Sequence, residues 1–376
     1  MPSHTKNILF CSTFGNLRWG GQKSLYHLVT RLDRTKYRPV VLLPTEEDLA
    51  EMLRGQKMEV VIHELPPIGL IAPFACLLSV RYLFRLIETH DIALMHTDGP
   101  RNTLYAGLVS WLKAIPVVFH VRASDRDRYD RIIYRCSDRI VLVAEALRDR
   151  FDWVNDNSKF RTIYNGVDLK QFEGPTPASI AVEVQALSGK EVMIVCAGRV
   201  EPQKGQYNLI EACAKLKDAR IPFQLLLAGD VTDEKYLATC RNKAMELKIN
   251  DRITFSGHIE NMPDVLYRTD IFVLPSIHGE AFSRAIIEAM AAGRPVVATD
   301  VGGAREAIEE GVSGFIVPPA NPATLAEKIL LLARDASVRR KFGAAARKRV
   351  EERFTIERNV RKTEQVYAEL LRTVVS

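Results

Sequence analysis

The sequence predicts an α/β protein built from two tandem, doubly wound parallel-sheet domains. Three observations carry this expectation. At 376 residues the chain exceeds what one hydrophobic core usually supports. Short apolar runs alternate with helical patterns, and the runs are continuous rather than alternating, as in strands covered by helices on both faces. The rhythm breaks once, over a stretch rich in Gly, Pro and Ser, and then restarts. With 47% hydrophobic and 26% charged residues the composition is that of a globular protein.

In the first half the expected strands are Ile8 to Cys11, Val40 to Leu43, Val60 to Ile62, Ile92 to Met95, Val117 to Phe119, Ile140 to Val143 and Arg161 to Ile163. They define a first domain over 1–170. Gly174, Pro175, Pro177, Ser179, Ser188 and Gly189 then mark a linker over 171–190. The second domain, 191–355, has strands at Val192 to Cys196, Phe223 to Ala228, Ile253 to Phe255, Ile271 to Leu274, Pro295 to Ala298 and Phe315 to Val317. A last helix from Ile356 to about Val374 forms a separate segment, 356–376.

The stretch from Ser276 to Gly303 runs strand end, acidic loop, helix, strand and glycine turn without a break. Its helix is expected over Arg284 to Ala292, with Gly293 past the end. Glu280 enters this helix and Glu288 lies about two turns inside it. Acidic residues suit a helix N-terminus for the dipole alone, so spacing by itself favours capping and a solvated Glu. Similarly, Gly198, Arg199, Lys204 and Gly205 lie between a strand end and a helix start, where ligands bind in open parallel sheets. Arg199 can fork two phosphate oxygens and Lys204 can act as a point charge, although a basic pair beside a turn is more often just solvated.

These pieces together resemble the signature of retaining glycosyltransferase family 4: Glu280, seven residues, Glu288, a small-residue helix end, Pro295-Val-Val and Gly302-Gly303. Gly20-Gly21, Asn165-Gly-Val-Asp168, Ala197-Gly-Arg199 through Lys204-Gly205, Leu227-Ala-Gly229 and Phe255-Ser-Gly257 match in the same order. The resemblance covers nearly the whole chain, strongly in the second half and diffusely in the first. It implies the GT-B architecture, with the last helix returning to the first domain. It implies a nucleotide diphosphate sugar donor, a UDP- or GDP-sugar of undetermined base, and no metal or other cofactor. It places Glu288 on the ribose hydroxyls, Glu280 by the donor sugar, and His120 facing that sugar. Arg199, Lys204, Glu280 and His120 are then the expected catalytic residues. Gly20, Gly21, Gly198, Gly229, Ala281, Phe282, Ser283 and Glu288 complete the expected donor site. The family's usual Gly-Phe-Gly after the first Glu is Ala281-Phe282-Ser283 here, which narrows the backbone angles open to that loop. A carboxylate nucleophile is not assigned by the resemblance, and front-face attack guided by the phosphate stays equally open.

The remaining sequence narrows the partners. The six cysteines stand far apart, with no Cys-x-x-Cys pair, as small buried thiols do in a reducing compartment. The apolar run of Met1 to Phe10 is too short for a signal peptide, so a cytoplasmic protein is expected. The net charge of +6 divides as +5 up to Lys170 and +1 beyond it. A near-neutral second half without aromatic and basic interleaving gives no nucleic-acid footprint. Leu65 to Val80 carries no charge, yet Pro66, Pro67, Gly69 and Pro73 break it and it is too short to span a bilayer. It reads first as a loop and helix packed on the core, and second as an interfacial segment beside Arg81 and Arg85, where a lipid-linked acceptor would bring the chain to an anionic membrane. Asp125-Arg126-Asp127 resembles the metal pair of the other large glycosyltransferase fold, but its arginine-rich setting favours ion pairs on a helix surface.

The expected activity is therefore transfer of a hexosyl unit from a nucleotide sugar to a hydroxyl on a glycan or lipid-linked acceptor, in envelope or exopolysaccharide assembly. A nucleotide-sugar epimerase of similar fold and a non-catalytic sugar-binding subunit are the alternatives. Turnover of donor without acceptor separates the first; the intact Arg, Lys and Glu set disfavours the second.

Overall fold

A computed structural model describes residues 5–18, 20–68, 73–174 and 191–373. Most of the expected linker, 175–190, and residues 69–72 of the uncharged run lie outside the described residues. The chain divides into two compact units, one holding residues up to Asn165 together with the final helix from Ile356, the other Gly166–Thr355.

The first unit is a seven-stranded sheet: β1 (Lys6–Cys11), β2 (Tyr37–Leu43), β3 (Glu59–Ile62), β4 (Ile92–Thr97), β5 (Val117–Val121), β6 (Arg139–Leu142) and β7 (Phe160–Thr162). All pairings are parallel, in the order β3-β2-β1-β4-β5-β6-β7, with Leu9 beside Val40 on one side and Met95 on the other. The helices between the strands are α1 (Gly20–Arg31), α2 (Asp48–Gly55), α3 (Pro73–Thr89), α4 (Pro100–Lys113) and α5 (Asp130–Cys136). Successive side chains of a strand point to opposite faces, and both faces are covered. Ile8 and Phe10 pack into a core with Leu25, Leu28 and Leu49, whereas Leu9 and Cys11 pack with Leu86, Tyr105 and Val109.

The final helix, Ile356–Thr373, belongs to the first of these cores. Ile356, Val360, Val366, Tyr367 and Leu370 are spaced for one helical face, and each is buried there beside α1 and β4 residues. Full burial of such side chains contributes roughly 1.5–3 kcal/mol apiece, which fixes the helix on this sheet. Asn359 Nδ2 also donates to the Tyr164 carbonyl at 2.7 Å.

The second unit repeats the plan with six parallel strands: β8 (Val192–Ala197), β9 (Phe223–Ala228), β10 (Ile253–Gly257), β11 (Ile271–Leu274), β12 (Val296–Thr299) and β13 (Gly314–Val317). Their order is β10-β9-β8-β11-β12-β13. The helices are started by local chemistry. Asp233 caps the Glu234–Glu246 helix through the Tyr236 amide, Asn321 caps Pro322–Arg334 through the Thr324 amide, and Asp335 caps Ala336–Arg353.

Both sheets reverse direction once. The chain winds outward from β1 to β3, crosses back to β4 beside β1, and winds the other way; in the second unit the crossing falls between β8 and β11. At such a point the loops leaving two neighbouring strands diverge and open a crevice at the carboxyl edge of the sheet.

Candidate functional site

In the second unit the loops after β8 and β11 meet at this crossing. Lys204 ends a short 3₁₀ turn, Pro202–Lys204, in the β8 loop, and Glu280 follows β11. Lys204 Nζ lies 2.5 Å from Glu280 Oε1, and both side chains are largely buried, 14% and 13% exposed. Ser276 Oγ donates to the same carboxylate oxygen at 2.8 Å. Thr299, at the end of β12, in turn donates to the Ser276 carbonyl at 2.5 Å. Three neighbouring strand ends therefore hold one carboxylate.

Backbone shape allows this close approach. Gly205 has φ +68° and its α-carbon presses against the Pro275 carbonyl, so that a Cβ would stand 2.1 Å from that oxygen. Gly302 has φ +55°, and a Cβ there would stand 2.0 Å from the Glu280 carbonyl oxygen. Only glycine adopts such angles at no steric cost, and only glycine lets two loops touch backbone to backbone. Gly303 then donates its amide to the Ala281 carbonyl at 2.8 Å.

The other expected residues of this half fall around the pair. Gly198 and Gly229 extend β8 and β9, and Gly198 donates to the Ala228 carbonyl at 2.8 Å. Arg199 is more open and is joined to Glu201 at 2.9 Å, a carboxylate that also accepts from Thr232. Gln206 Nε2 donates to the Arg199 carbonyl at 2.7 Å, tying this loop to the helix that follows. The Arg284–Ala291 helix starts at Arg284 as expected, and Glu288 is its fifth residue, little more than one turn in rather than two at 3.6 residues per turn. Its Oε1 accepts from Arg284 Nη2 at 2.9 Å, and Arg284 is anchored by the Gly166 carbonyl at 3.0 Å. Two side chains of the expected ligand loop are engaged within the protein. Phe282 is buried with its ring 5.4 Å from that of Phe354, so its side chain serves the core. Ser283 caps the helix by accepting from the Ile286 amide, so its hydroxyl is engaged locally.

Gly20, Gly21 and His120 belong to the first unit. The two glycines form the first turn of α1 instead of the loop before it, and Ser24 donates back to the Gly20 carbonyl at 2.9 Å. His120 is the penultimate residue of β5 and is buried. Its Nδ1 lies 3.3 Å from Arg122 Nη2 and 3.1 Å from His96 Nε2, and His96 Nδ1 lies 2.6 Å from the Tyr367 hydroxyl. Arginine can only donate, so His120 Nδ1 accepts; His96 then carries its proton on Nε2, and Tyr367 donates to His96 Nδ1. This order leaves the His120 proton on Nε2, a buried nitrogen with no protein partner among the described residues. Burial holds His120 well below the usual imidazole range, with the Arg122 cation and His96 acting the same way. Burial likewise depresses His96 to about 3, with help from Arg122. Asp98, at the β1–β4 crossing, accepts from the Thr13 amide at 2.8 Å and the Thr13 hydroxyl at 2.7 Å, and desolvation raises its carboxyl despite Arg122.

Asp125-Arg126-Asp127 lies in the loop before α5 and not on a helix surface. Arg126 reaches Asp152 at 2.6 Å, Asp127 accepts from the Tyr129 amide at 2.8 Å, and the buried ion pair of this region is Arg150 with Asp130, also at 2.6 Å. Among the partners that sequence reasoning missed, Ser276 carried a signal, a polar residue directly after a buried strand and its closing proline. Tyr367 carried none, since it stands 271 positions from His96.

Comparison with known proteins decides what this arrangement belongs to. Residues 180–349 match the model for Glycosyl transferases group 1, and residues 20–171 match that for Glycosyltransferase Family 4. The chain belongs to the group 1 glycosyltransferases, with the GT-B fold. Among its curated relatives are the N-acetyl-alpha-D-glucosaminyl L-malate synthase of Bacillus anthracis, 28% identical over 63% of this chain and 61% of that protein. The lipopolysaccharide core biosynthesis mannosyltransferase LpsB of Rhizobium meliloti is 29% identical over 89% of this chain and 93% of its own length. The chain thus spans about three fifths of the first relative and nearly all of the second. Among solved structures, Anabaena HepE in complex with UDP-glucose superposes with a TM-score of 0.81 over 96% of this chain and 99% of that one, at 23% identity. At that identity the likeness establishes the fold.

Proposed function

We propose that this group 1 glycosyltransferase moves a hexosyl unit from a nucleotide diphosphate sugar to a hydroxyl of a glycan or lipid-linked acceptor, with retention and without a metal ion, in polysaccharide or lipopolysaccharide assembly. One observation carries the reading: a lysine and a glutamate, both largely buried and joined at 2.5 Å, at the one place where the second sheet reverses direction. A diphosphate leaving group gains negative charge as the glycosidic bond breaks, and a preorganised cation stabilises that charge most where water is excluded. Lys204 supplies such a cation, held in place by Glu280; its ammonium has two further protons for phosphate oxygens. Arg199, more open and paired with Glu201, adds a planar fork. Glu288, oriented by Arg284, suits the two vicinal hydroxyls of a ribose. His120 offers a neutral Nε2–H to a substrate hydroxyl. The UDP-glucose of the Anabaena neighbour supports a nucleotide sugar, and the name of the Rhizobium relative supports an envelope glycan. Retention and metal independence follow the family 4 resemblance.

Calorimetry and thermal shift with a panel of nucleoside diphosphates test the proposal. A ligand at one hundred times its dissociation constant raises stability by about 2.7 kcal/mol, and one base is expected to stand out. Glu288→Gln is expected to weaken the free nucleotide and the donor alike, whereas Glu280→Gln spares the free nucleotide. Activity that survives chelation fits the proposal; a strict need for added magnesium or manganese, or no response to any nucleotide, overturns it.

A further inference from the structure

The outer surface of α3 and α4 is unusually apolar. On α3, Phe74, Leu77 and Leu78 follow helical spacing on the side away from the core and are 70%, 63% and 50% exposed. On α4, Leu108, Trp111 and Leu112 do the same, and Trp111 is 85% exposed. The opposite sides of both helices are already occupied: Leu83, Leu86 and Ile87 of α3, and Tyr105, Ala106 and Val109 of α4, are buried in the core against the sheet. Both helices are therefore apolar on two sides, and only one side is used within the fold. The helices pack on each other and α5 packs on α4, close enough that a Cβ on Gly107 would stand 2.5 Å from Cys136 Cβ. The six side chains thus share one outer layer of the first unit. A contiguous apolar patch rimmed by polar groups marks an interaction surface.

The charge around this layer selects the partner. Arg81, Arg85, Arg101, Lys113, Arg131 and Arg135 stand on the three helices against two carboxylates, Glu88 and Asp130. Glu88 is held by Lys113 at 2.5 Å, and Asp130 is buried beneath Arg150 at 2.6 Å. A second copy of this chain meeting the same face about a two-fold axis would oppose these cations to one another. An anionic lipid surface would neutralise them while receiving the apolar side chains. No helix among the described residues is long and apolar enough to cross a membrane, so the contact is one of lying on the surface.

We infer that the α3–α4 face docks this chain peripherally on an anionic membrane, with Phe74, Leu77, Leu78, Leu108, Trp111 and Leu112 entering the headgroup boundary and the surrounding arginines meeting lipid phosphates. Trp111 occupies the amphipathic interfacial position that tryptophan favours. The uncharged run takes part through its helical end, and the contributing cations are those on the three helices. The proposal stands apart from the transfer reaction, because binding is read without donor or acceptor.

The test uses the full chain with Trp19 and Trp153 replaced by Phe, so that Trp111 alone reports. Vesicles of phosphatidylcholine and phosphatidylglycerol in equal parts are compared with phosphatidylcholine alone. Co-sedimentation with the anionic vesicles, a blue shift of Trp111 emission on binding, and release at high salt are expected. Arg81→Ala and Arg85→Ala should each weaken partitioning about fivefold. Leu77→Ser with Trp111→Ser in the native background, at exposed positions that leave the core intact, should abolish co-sedimentation without changing circular dichroism. Absence from both vesicle types, or binding that these substitutions leave untouched, overturns the inference. A concentration-dependent dimer in light scattering that the double substitution dissolves, with no vesicle binding, overturns it in favour of contact between copies.

Discussion

Replacing Lys204 by Met separates the structural and chemical roles of the buried pair. The substitution keeps most of the aliphatic stem and removes the charge, leaving Glu280 with the Ser276 hydroxyl as its remaining side-chain donor. Removing one partner of a fully buried ion pair costs about 3–5 kcal/mol, because the other charge stays desolvated. Here 13–14% of each side chain remains exposed, so solvent screening trims the expected loss to about 2–4 kcal/mol. For a unit of this size that lowers Tm by about 4–16 °C. Adding Glu280→Gln should restore at least half of the loss, since a neutral amide still accepts from Ser276 and no longer needs a cation. Urea unfolding of the wild type, both single variants and the double variant gives the coupling energy directly. Independent sites add within about 0.5 kcal/mol, and additivity at that level would refute the pairing. Calorimetry supplies the second readout. A charge-assisted contact to phosphate contributes about 1.5–3 kcal/mol, so Lys204→Met should weaken the nucleoside diphosphate by about 10- to 150-fold. Unchanged affinity in a folded Lys204→Met protein would leave Lys204 as a partner of Glu280 and nothing more.

Acid should destabilise the first unit through its histidines. His96 and His120 are held neutral in the folded state, while in the unfolded chain both take up protons below about pH 6.5. The unfolded state then binds more protons, so stability falls with pH by about 1.4 kcal/mol per pH unit for each ring, down to about pH 3 for His96. A Tm constant between pH 7.5 and 5 would contradict the buried chain. Gly302→Ala and Gly311→Ala separate backbone strain from loop contact: both carry positive φ, but only at Gly302 does the new Cβ meet the Glu280 carbonyl, while at Gly311 nothing lies within 4 Å. Gly311→Ala should cost about 1–2 kcal/mol of stability for the backbone angle alone, and Gly302→Ala more, because its Cβ also displaces the Glu280 backbone; nucleotide affinity, measured by calorimetry, should fall only for Gly302→Ala.

The strand plan was legible because a strand covered on both faces needs an unbroken apolar run, and Val40 to Leu43, Val117 to Phe119 and Ile271 to Leu274 are such runs. The glycines beside Lys204 and Glu280 were legible for a related reason: a backbone that must come within van der Waals contact of another leaves no room for a side chain. Sequence also placed Arg199, Lys204, Glu280 and Glu288 at strand ends and helix starts. It did not show that Lys204 meets Glu280, that Glu201 holds Arg199, or that Phe282 turns into the core, because each of these depends on which strands are neighbours. Order along the chain cannot give that adjacency: β8 and β11 are separated by two intervening strands and lie side by side only because the winding reverses. The same holds for Tyr367, whose hydroxyl completes the chain of His96 and His120, its order set by Arg122, from a helix at the far end of the sequence. Nor did the uncharged run reveal which of its residues face outward. Periodicity marks one apolar side of a helix as buried, and α3 has two; which of them meets the sheet is decided by packing against β4 and α4, leaving Phe74, Leu77 and Leu78 exposed.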